Sequence, residues 1–332
     1  RAILNASRRK RKRHDVAPVI ANISRHVDVI EEILLSGTYK SSKYARKTVI
    51  DGSSGKTRDI MKPKFFPDQC IQWAVMQVVE PILSRGTYHY SCGSVKGKGS
   101  HFAKRATEKW IRSDFRGTKY TLQLDISKFY PSVNHEVLKG LFRKRIKCRK
   151  TLEIMDEIVN GGDEGLPIGN YTSQLFANYY MEDIDHHIKQ KLGAKYYIRY
   201  MDDMVLFGPN KRELHKVFKE VKRLAESRGL KIKGNYQLFK TSSRPLDFLG
   251  YRFYRNRTTL RRRNFLRITR RIRKISKKNT LCFKDACAVV SYMGWLKHSD
   301  SAHMYEKYIR PYVNIGKAKE VVSNESKRRC KT

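Results

Sequence analysis

The sequence predicts an α+β fold, and three observations carry the prediction. Residues 197–207 set the adjacent acids Asp202 and Asp203 between two apolar runs rich in aromatic and β-branched residues. Such runs favour a strand on each side of a tight turn, and Asp accepts turn conformations. Residues 120–125 alternate Leu122 and Leu124 with polar neighbours, the period of a half-buried strand. Elsewhere apolar residues recur at helical spacing, as in Val19, Ile23, Val27, Ile30 and Leu34.

Taken in order, the chain opens on the basic run 8–13, which reads either as a solvated, flexible arm or as a contact to nucleic-acid phosphates. A helix follows over 16–35 and stops at Gly37. Residues 44–63 read as a hairpin, with Thr48-Val49-Ile50 and Thr57–Met61 around the turn 51–55. Gly55-Lys56-Thr57 is no P-loop, because that motif needs four residues between its glycines and Gly52 and Gly55 have two. A helix over 67–83 turns Ile71, Val75, Val78, Val79 and Ile82 inward. Residues 92–101 form a basic glycine-rich loop before a helix over 101–112. Beyond Pro131 comes a helix with Val133, Val137, Leu138 and Leu141 on one face.

A second glycine-rich loop starts at Gly165 and becomes a helix through Leu175, Ala177, Tyr180 and Ile184. Asp183, Asp185, His186 and His187 look metal-like, but neighbours on a helix face different ways, so a solvated face is expected. The helix over 213–228 buries Leu214, Val217, Val221 and Leu224, is capped by Gly229 and leads into a strand, Leu230–Lys233. Residues 257–278 hold eleven Lys/Arg and no acid, with Phe265, Ile268, Ile272 and Ile275 on one helical stripe. Further helices over 281–313, carrying Val289, Tyr292, Trp295 and Tyr308, precede a basic, frayed tail at 323–332.

The 332 residues are enough for several subdomains, and 71 Lys+Arg against 31 Asp+Glu leave a formal net charge of +40. A charge of this size calls for a polyanionic partner, nucleic acid above all. The aromatic content of 11% argues for a folded chain rather than a basic disordered one. The six cysteines are scattered, with no Cys-x-x-Cys pair, so neither a zinc site nor a disulfide framework is expected. That suits a reducing, cytoplasmic compartment. No apolar run approaches a membrane span, no signal peptide is visible, and a first residue of Arg suggests that the native N-terminus lies upstream.

The chemistry is expected at three carboxylates. Asp125 ends the strand over 120–125, and Asp202 and Asp203 stand at the hairpin turn. Carboxylates held this close repel unless a cation lies between them. Brought side by side they would hold two Mg²⁺ ions, with Mn²⁺ as an alternative, because hard cations take oxygen ligands and keep places for substrate phosphates. Two such ions stabilise both oxygens of an in-line phosphoryl transfer.

These same residues carry a resemblance. Tyr200-Met201-Asp202-Asp203 in an apolar hairpin resembles the catalytic signature of reverse transcriptases, and residues 124–130, Leu-Asp-Ile-Ser-Lys-Phe-Tyr, resemble their first catalytic motif. Residues 165–174 resemble the segment between the two. Retroviral enzymes have Gln-Gly-x-x-x-Ser-Pro there, whereas this chain has Ile168-Gly169-x-x-x-Ser173-Gln174, which resembles the diversity-generating retroelement branch.

The resemblance implies a right-hand polymerase with fingers, a palm of antiparallel sheet plus helices, and a helical thumb. It implies a basic N-terminal arm and helix at 1–40, fingers at 41–118, palm at 119–254, and a basic helical thumb and tail at 255–332. Asp125, Asp202 and Asp203 would be catalytic, holding metal together with the Ile126 carbonyl. Lys56, Arg58 and Lys62 become candidates for the triphosphate of the incoming nucleotide. Tyr130, five residues past Asp125, would block a ribose 2′-OH, although core packing is equally common for such a Tyr.

Ile168, Gly169 and Gln174 would border the nascent base pair. The family carries a Lys hereabouts that protonates departing pyrophosphate; Lys231 and Lys233 are the candidates, and Lys231 is assigned to the substrate. Nucleic acid would be met by Lys96 and Lys98 in the glycine loop and by Tyr200 and Met201. Leu249, Gly250 and Tyr251 in a primer-gripping hairpin, and Arg262, Arg263 and Arg270 on the thumb, would complete that contact.

The implied function is an RNA-directed DNA polymerase that uses dNTPs on an RNA template, forms an RNA/DNA duplex and misincorporates at template adenines. A basic, helical accessory protein forming a pentameric barrel is the implied partner, in a bacterial or phage-encoded setting. No ribonuclease H, endonuclease or integrase motif is present, nor the Val-Thr-Gly that retron enzymes usually carry near the thumb. Rival readings are a bacterial antiphage-defence or other retroelement reverse transcriptase, an RNA-dependent RNA polymerase, and a non-catalytic RNA-binding protein.

Overall fold

The computed structural model describes residues 1–50, 55, 57–162 and 164–331, and divides the chain into two units. One is Arg1–Ala103 with Leu122–Leu238; the other is Lys104–Thr121 with Phe239–Thr332. Helices α1 (Ala2–Ala6), α2 (Ala17–Ala21) and α3 (Ile23–Ser36) open the first unit. The single helix expected over 16–35 is broken at Asn22, whose φ of −125° and ψ of 55° leave the helical region. Gly37 closes α3 at φ 71°, a left-handed cap that suits glycine. Arg8–Arg13 is not a free arm: Lys10 donates to Gln69 at 2.7 Å, and Arg13 pairs with Asp15 at 2.6 Å.

Strands β1 (Ala45–Ile50) and β2 (Thr57–Lys62) pair antiparallel with Ile50 opposite Thr57. Lys56 lies outside the described residues. α4 (Cys70–Leu83) buries Ile71, Val75 and Val79, but Val78 and Ile82, expected inward, are 64% and 39% exposed. α5 (Ser100–Ser113) leads to β3 (Tyr120–Asp125), which buries Leu122 and Leu124 completely. Each such side chain contributes about 1.5–3 kcal/mol.

α6 (His135–Arg145) starts at Asn134, whose side chain accepts from the Val137 N–H. α7 (Arg149–Asn160), not among the expected elements, buries Ile154, Met155, Ile158 and Val159. α8 (Tyr171–His186) is buried nearly all round, which hides it from an amphipathic pattern. β4 (Tyr196–Tyr200) and β5 (Asp203–Gly208) then form the central hairpin, and α9 (Lys211–Glu226) follows, capped by Asn210. The strand expected at Leu230–Lys233 is reduced to one antiparallel bridge, Ile126 with Ile232.

β6 (Gln237–Lys240) completes a four-stranded sheet in the order β4-β5-β3-β6. In the second unit β7 (Leu246–Phe248), β8 (Tyr251–Phe253) and β9 (Thr258–Leu260) make an antiparallel sheet. The β7–β8 turn runs through Leu249 at φ 53° and Gly250 at φ 85°, the two positive values that a two-residue hairpin asks for. Helices α10 (Arg262–Ser276), α11 (Phe283–Lys297), α12 (Ala302–Tyr308) and α13 (Ile315–Lys331) end the chain, so the expected frayed tail is helical to Lys331. No helix among the described residues is long and apolar enough to cross a membrane.

Candidate active site

The register of β4 on β5 pairs Tyr200 with Asp203, so Met201 and Asp202 form the turn and Asp203 already belongs to a strand. Met201 takes φ 55°, a conformation that side chains rarely adopt. Gly93 permits it: a Cβ there would lie 2.5 Å from Met201 Cγ and 2.8 Å from its backbone nitrogen. The turn is tied to β3 because the Ile126 N–H donates to the Asp202 carbonyl at 3.2 Å.

This tie brings Asp125 and Asp202 together. Burial, and next the charge of Asp125, push the Asp202 carboxyl above the usual carboxylate range. Asp125 Oδ2 accepts from Lys233 Nζ at 2.6 Å, while its Oδ1 is buried without a hydrogen-bond partner. Asp203 differs, with Oδ1 accepting from Gln123 Nε2 at 3.3 Å. Among the described residues no three His, Cys, Asp or Glu side chains gather as a ligand cluster. The pair does fit a hard cation: a buried, unsatisfied carboxylate oxygen stands beside a second carboxylate that is costly to ionise alone.

Around the pair, Tyr130 is half-buried, and burial first, then the Asp202 charge, raise its phenol pKa. The positive charge of Arg58 opposes the rise at both Tyr130 and Asp202, which brings β2 into the same field. Lys62 instead faces Asp15, 3.6 Å away. Ile168 is half-buried, and its carbonyl accepts from the Met61 N–H at 2.8 Å. Gly169, at φ 126°, lies so close to β2 that a Cβ would stand 2.7 Å from the Met61 carbonyl. Gln174 is exposed on α8.

Lys231 does not reach the pair. Its side chain is exposed and its carbonyl accepts from the Ser127 N–H, while Lys233 emerges on the Asp125 side of the same bridge. Lys96 is exposed, but Lys98 folds back onto the His89 carbonyl at 2.5 Å. In the second unit Arg262, Arg263 and Arg270 are exposed on α10. Tyr251 is only 1% exposed, so its ring packs against Trp295, 5.2 Å away, and is not open to nucleic acid. Gly250 is buried as well, and Leu249 half-buried.

The largest departure from the sequence reading lies behind the hairpin. Asp185, expected on a solvated face, is 1% exposed and takes Arg199 Nη2 at 2.6 Å and the Tyr197 hydroxyl at 2.6 Å. Arg199 is fully buried. It also donates to Ser91 Oγ at 2.9 Å, Asn178 Oδ1 at 3.2 Å and the Met201 carbonyl at 3.0 Å. Residues 90–92 run beside it, with the Cys92 N–H donating to the Arg199 carbonyl at 2.8 Å. The one signal in the sequence was a charged residue amid an otherwise apolar strand.

The profile of the family described as reverse transcriptase (RNA-dependent DNA polymerase) matches residues 54–253. Protein YkfC of Escherichia coli is 24% identical over 183 residues, 52% of this chain and 47% of the relative. The group II intron-encoded protein LtrA of Lactococcus lactis is 27% identical over 206 residues, 59% of this chain and 32% of LtrA. The retron Ec73 reverse transcriptase of Escherichia coli is 30% identical over 138 residues, 38% and 44% of the two chains. The chain thus spans less than half the length of each of these relatives. In structure it resembles apo telomerase from Candida tropicalis, with a TM-score of 0.53 at 12% identity over 75% of this chain and 52% of that one. Telomerase from Candida albicans with a fragment of telomeric RNA gives 0.50 at 12% identity, over 87% and 62%. At this identity the likeness concerns the fold, a right-hand polymerase.

Proposed function

This chain belongs to the reverse transcriptase (RNA-dependent DNA polymerase) family, and from that premise we propose that it extends a DNA primer with dNTPs on an RNA template. The observation that carries the reading is the pairing of Asp125 with Asp202, one carboxylate oxygen buried without a partner and the second carboxyl raised by burial and then by its neighbour. Divalent cations, Mg²⁺ or Mn²⁺, would be held by these two aspartates and would supply charge neutralisation for phosphoryl transfer.

The protein's own residues do the rest. Arg58 offers positive charge for the triphosphate on the face that carries Tyr130. The Tyr130 ring fills the space where a ribose 2′-OH would sit. Lys233 Nζ donates to Asp125 Oδ2 at 2.6 Å and is the proposed donor to the departing pyrophosphate. A finer reading, error-prone synthesis at template adenines with a basic helical accessory protein, rests on Ile168-Gly169-x-x-x-Ser173-Gln174.

The test is primer extension on an RNA template with dNTPs or NTPs, comparing the wild type with Asp202→Ala. Extension with dNTPs alone, abolished in the variant, is the expected result. RNA binding without extension would overturn the reading in favour of a non-catalytic RNA-binding protein.

A further inference from the structure

Within the first unit the β1–β2 hairpin carries Arg58, and along its length little holds it. Val49, Ile60 and Met61 are half-buried, and every other residue of its two strands is exposed. The root is built differently. Tyr44, the residue before β1, is 8% exposed, and three donors meet on its phenol oxygen: Ser41 Oγ at 3.1 Å, Gln72 Nε2 at 3.3 Å and Asn170 Nδ2 at 3.2 Å. A Cβ on Gly161, at the end of α7, would lie 2.6 Å from the same oxygen, so distant parts of the chain close on one atom.

Asn170 makes the longest of these connections. It is the N-cap of α8, where an Asn side-chain oxygen ordinarily accepts an N–H of the first helical turn. That bond is not made: Oδ1 is buried without a hydrogen-bond partner, and the amide reaches Tyr44 across 126 positions of sequence. Asn170 also follows Ile168 and Gly169, on which β2 rests through the Met61 N–H, 2.8 Å from the Ile168 carbonyl. One buried side-chain bond thus joins the entry of β1 to the loop beside β2. Asp68, fully buried, anchors the segment before β1 separately, taking the Tyr39 hydroxyl at 3.0 Å and the Ser42 N–H at 3.3 Å, so that segment does not depend on Tyr44 alone.

We propose that Tyr44 and Asn170 are positioning residues for the incoming nucleotide: their hydrogen bond fixes the root of the hairpin against residues 168–170 and thereby the reach of Arg58. A hairpin exposed along both strands takes its direction from its root. A root free to tilt presents Arg58 for only part of the time, and apparent nucleotide affinity falls by that fraction, while the chemistry at Asp125 and Asp202 is untouched. A bond that served folding alone would leave nucleotide affinity where it was. The proposal rests on the polymerase reading above and extends it to the residues that aim the hairpin.

The test is single-turnover incorporation of one dNTP on an RNA template, which separates apparent nucleotide affinity from the rate of the chemical step. Tyr44→Phe and Asn170→Ala should each weaken dNTP affinity about tenfold, the effect of one lost buried hydrogen bond on an equilibrium, with the maximal rate held within about twofold. Tyr179→Phe removes another buried phenol bond of the same unit, to the Leu141 carbonyl at 2.9 Å, and should lower Tm comparably without moving dNTP affinity. In an Arg58→Ala background Tyr44→Phe should add less than about twofold, because the side chain it aims is gone. Unchanged affinity in both single variants would overturn the proposal. So would an equal loss in Tyr179→Phe, or an undiminished effect of Tyr44→Phe without Arg58. A wild type that incorporates nothing would sink the polymerase reading itself, whereas an active wild type matched by its variants would sink the hairpin proposal alone.

Discussion

Lys233 donates to the Asp125 carboxylate at 2.6 Å, across the one antiparallel bridge that pairs Ile126 with Ile232. The contact selects between two lysines: Lys233 Nζ reaches Asp125, whereas the Lys231 side chain is exposed and its carbonyl accepts from the Ser127 N–H.

Lys233→Ala should therefore slow the chemical step roughly 100-fold, the usual worth of a positioned proton donor. Lys231→Ala should change it by less than about twofold. Single-turnover incorporation of one dNTP reads both, and an equal loss in the two variants would refute the assignment.

Asp202→Asn should abolish synthesis yet raise thermal stability. The Asp202 pKa is raised, by burial and then by Asp125, so the folded protein favours its protonated form. The stability linked to that proton is present below the unfolded value, 3.8 for an ordinary Asp, and is lost as pH rises through the raised one. At neutral pH the ionised, desolvated carboxylate is a cost that Asn removes, so Tm of the metal-free protein should rise by roughly 1–3 °C. The gain should shrink towards pH 4. A variant that melts lower than the wild type at pH 7 would contradict the electrostatic account, whereas retained synthesis would remove Asp202 from the machinery.

Asp185→Asn is expected to do the opposite. It leaves Arg199 fully buried without its counter-charge, a loss of about 3–5 kcal/mol. Tm should fall by roughly 10 °C. Tyr197→Phe removes one hydrogen bond to the same carboxylate and should cost about 1 kcal/mol. An unchanged melting curve for Asp185→Asn would mean that the hairpin does not depend on the pair.

Tyr130→Ala opens space beside Asp202 and should raise the ratio of ribonucleotide to deoxyribonucleotide incorporation by roughly 10–100-fold. Competition between rNTPs and dNTPs on one template measures it. A ratio at the wild-type level would make Tyr130 a packing residue.

Ile168 holds the β2 strand through its carbonyl, which the Met61 N–H reaches at 2.8 Å, so its side chain can change without loosening that contact. Ile168→Gln restores an amide able to hydrogen-bond the incoming nucleotide. A misplacement of about 1 Å can cost ~100-fold in rate, so a firmer grip should penalise mispairs more. Sequencing of cDNA made by the two proteins should reveal fewer errors at template adenines in the variant. Identical error spectra would remove Ile168 from fidelity control.

The departures from the sequence reading share a cause. α7 is faint in the sequence because it begins with the polar run Arg149-Lys150-Thr151 and interleaves its apolar residues with Glu153, Asp156 and Glu157. Val78 and Ile82 sit at helical spacing with Val75 and Val79 yet are exposed, because the face of α4 that packs is the one carrying Ile71, Val75, Met76 and Val79. Residue type alone points Tyr251 and the basic run at 8–13 towards nucleic acid, whereas burial against Trp295 and bonds to Gln69 and Asp15 depend on which parts of the chain meet.

What could be read without coordinates were the local matters. The hairpin over 196–208, the strand ending at Asp125, the glycine cap at Gly37 and the overwhelming positive charge each follow from neighbours in the chain. Period, turn chemistry and net charge are all short-range or additive properties. The Arg199–Asp185 pair joins positions 14 apart, and Lys233 meets Asp125 from 108 residues away. Trp73 stacks on Tyr171 from a different helix. Such meetings depend on strand register and on how helices pack against one another. No local pattern encodes them, because burial and proximity are properties of the assembled chain and not of any stretch within it.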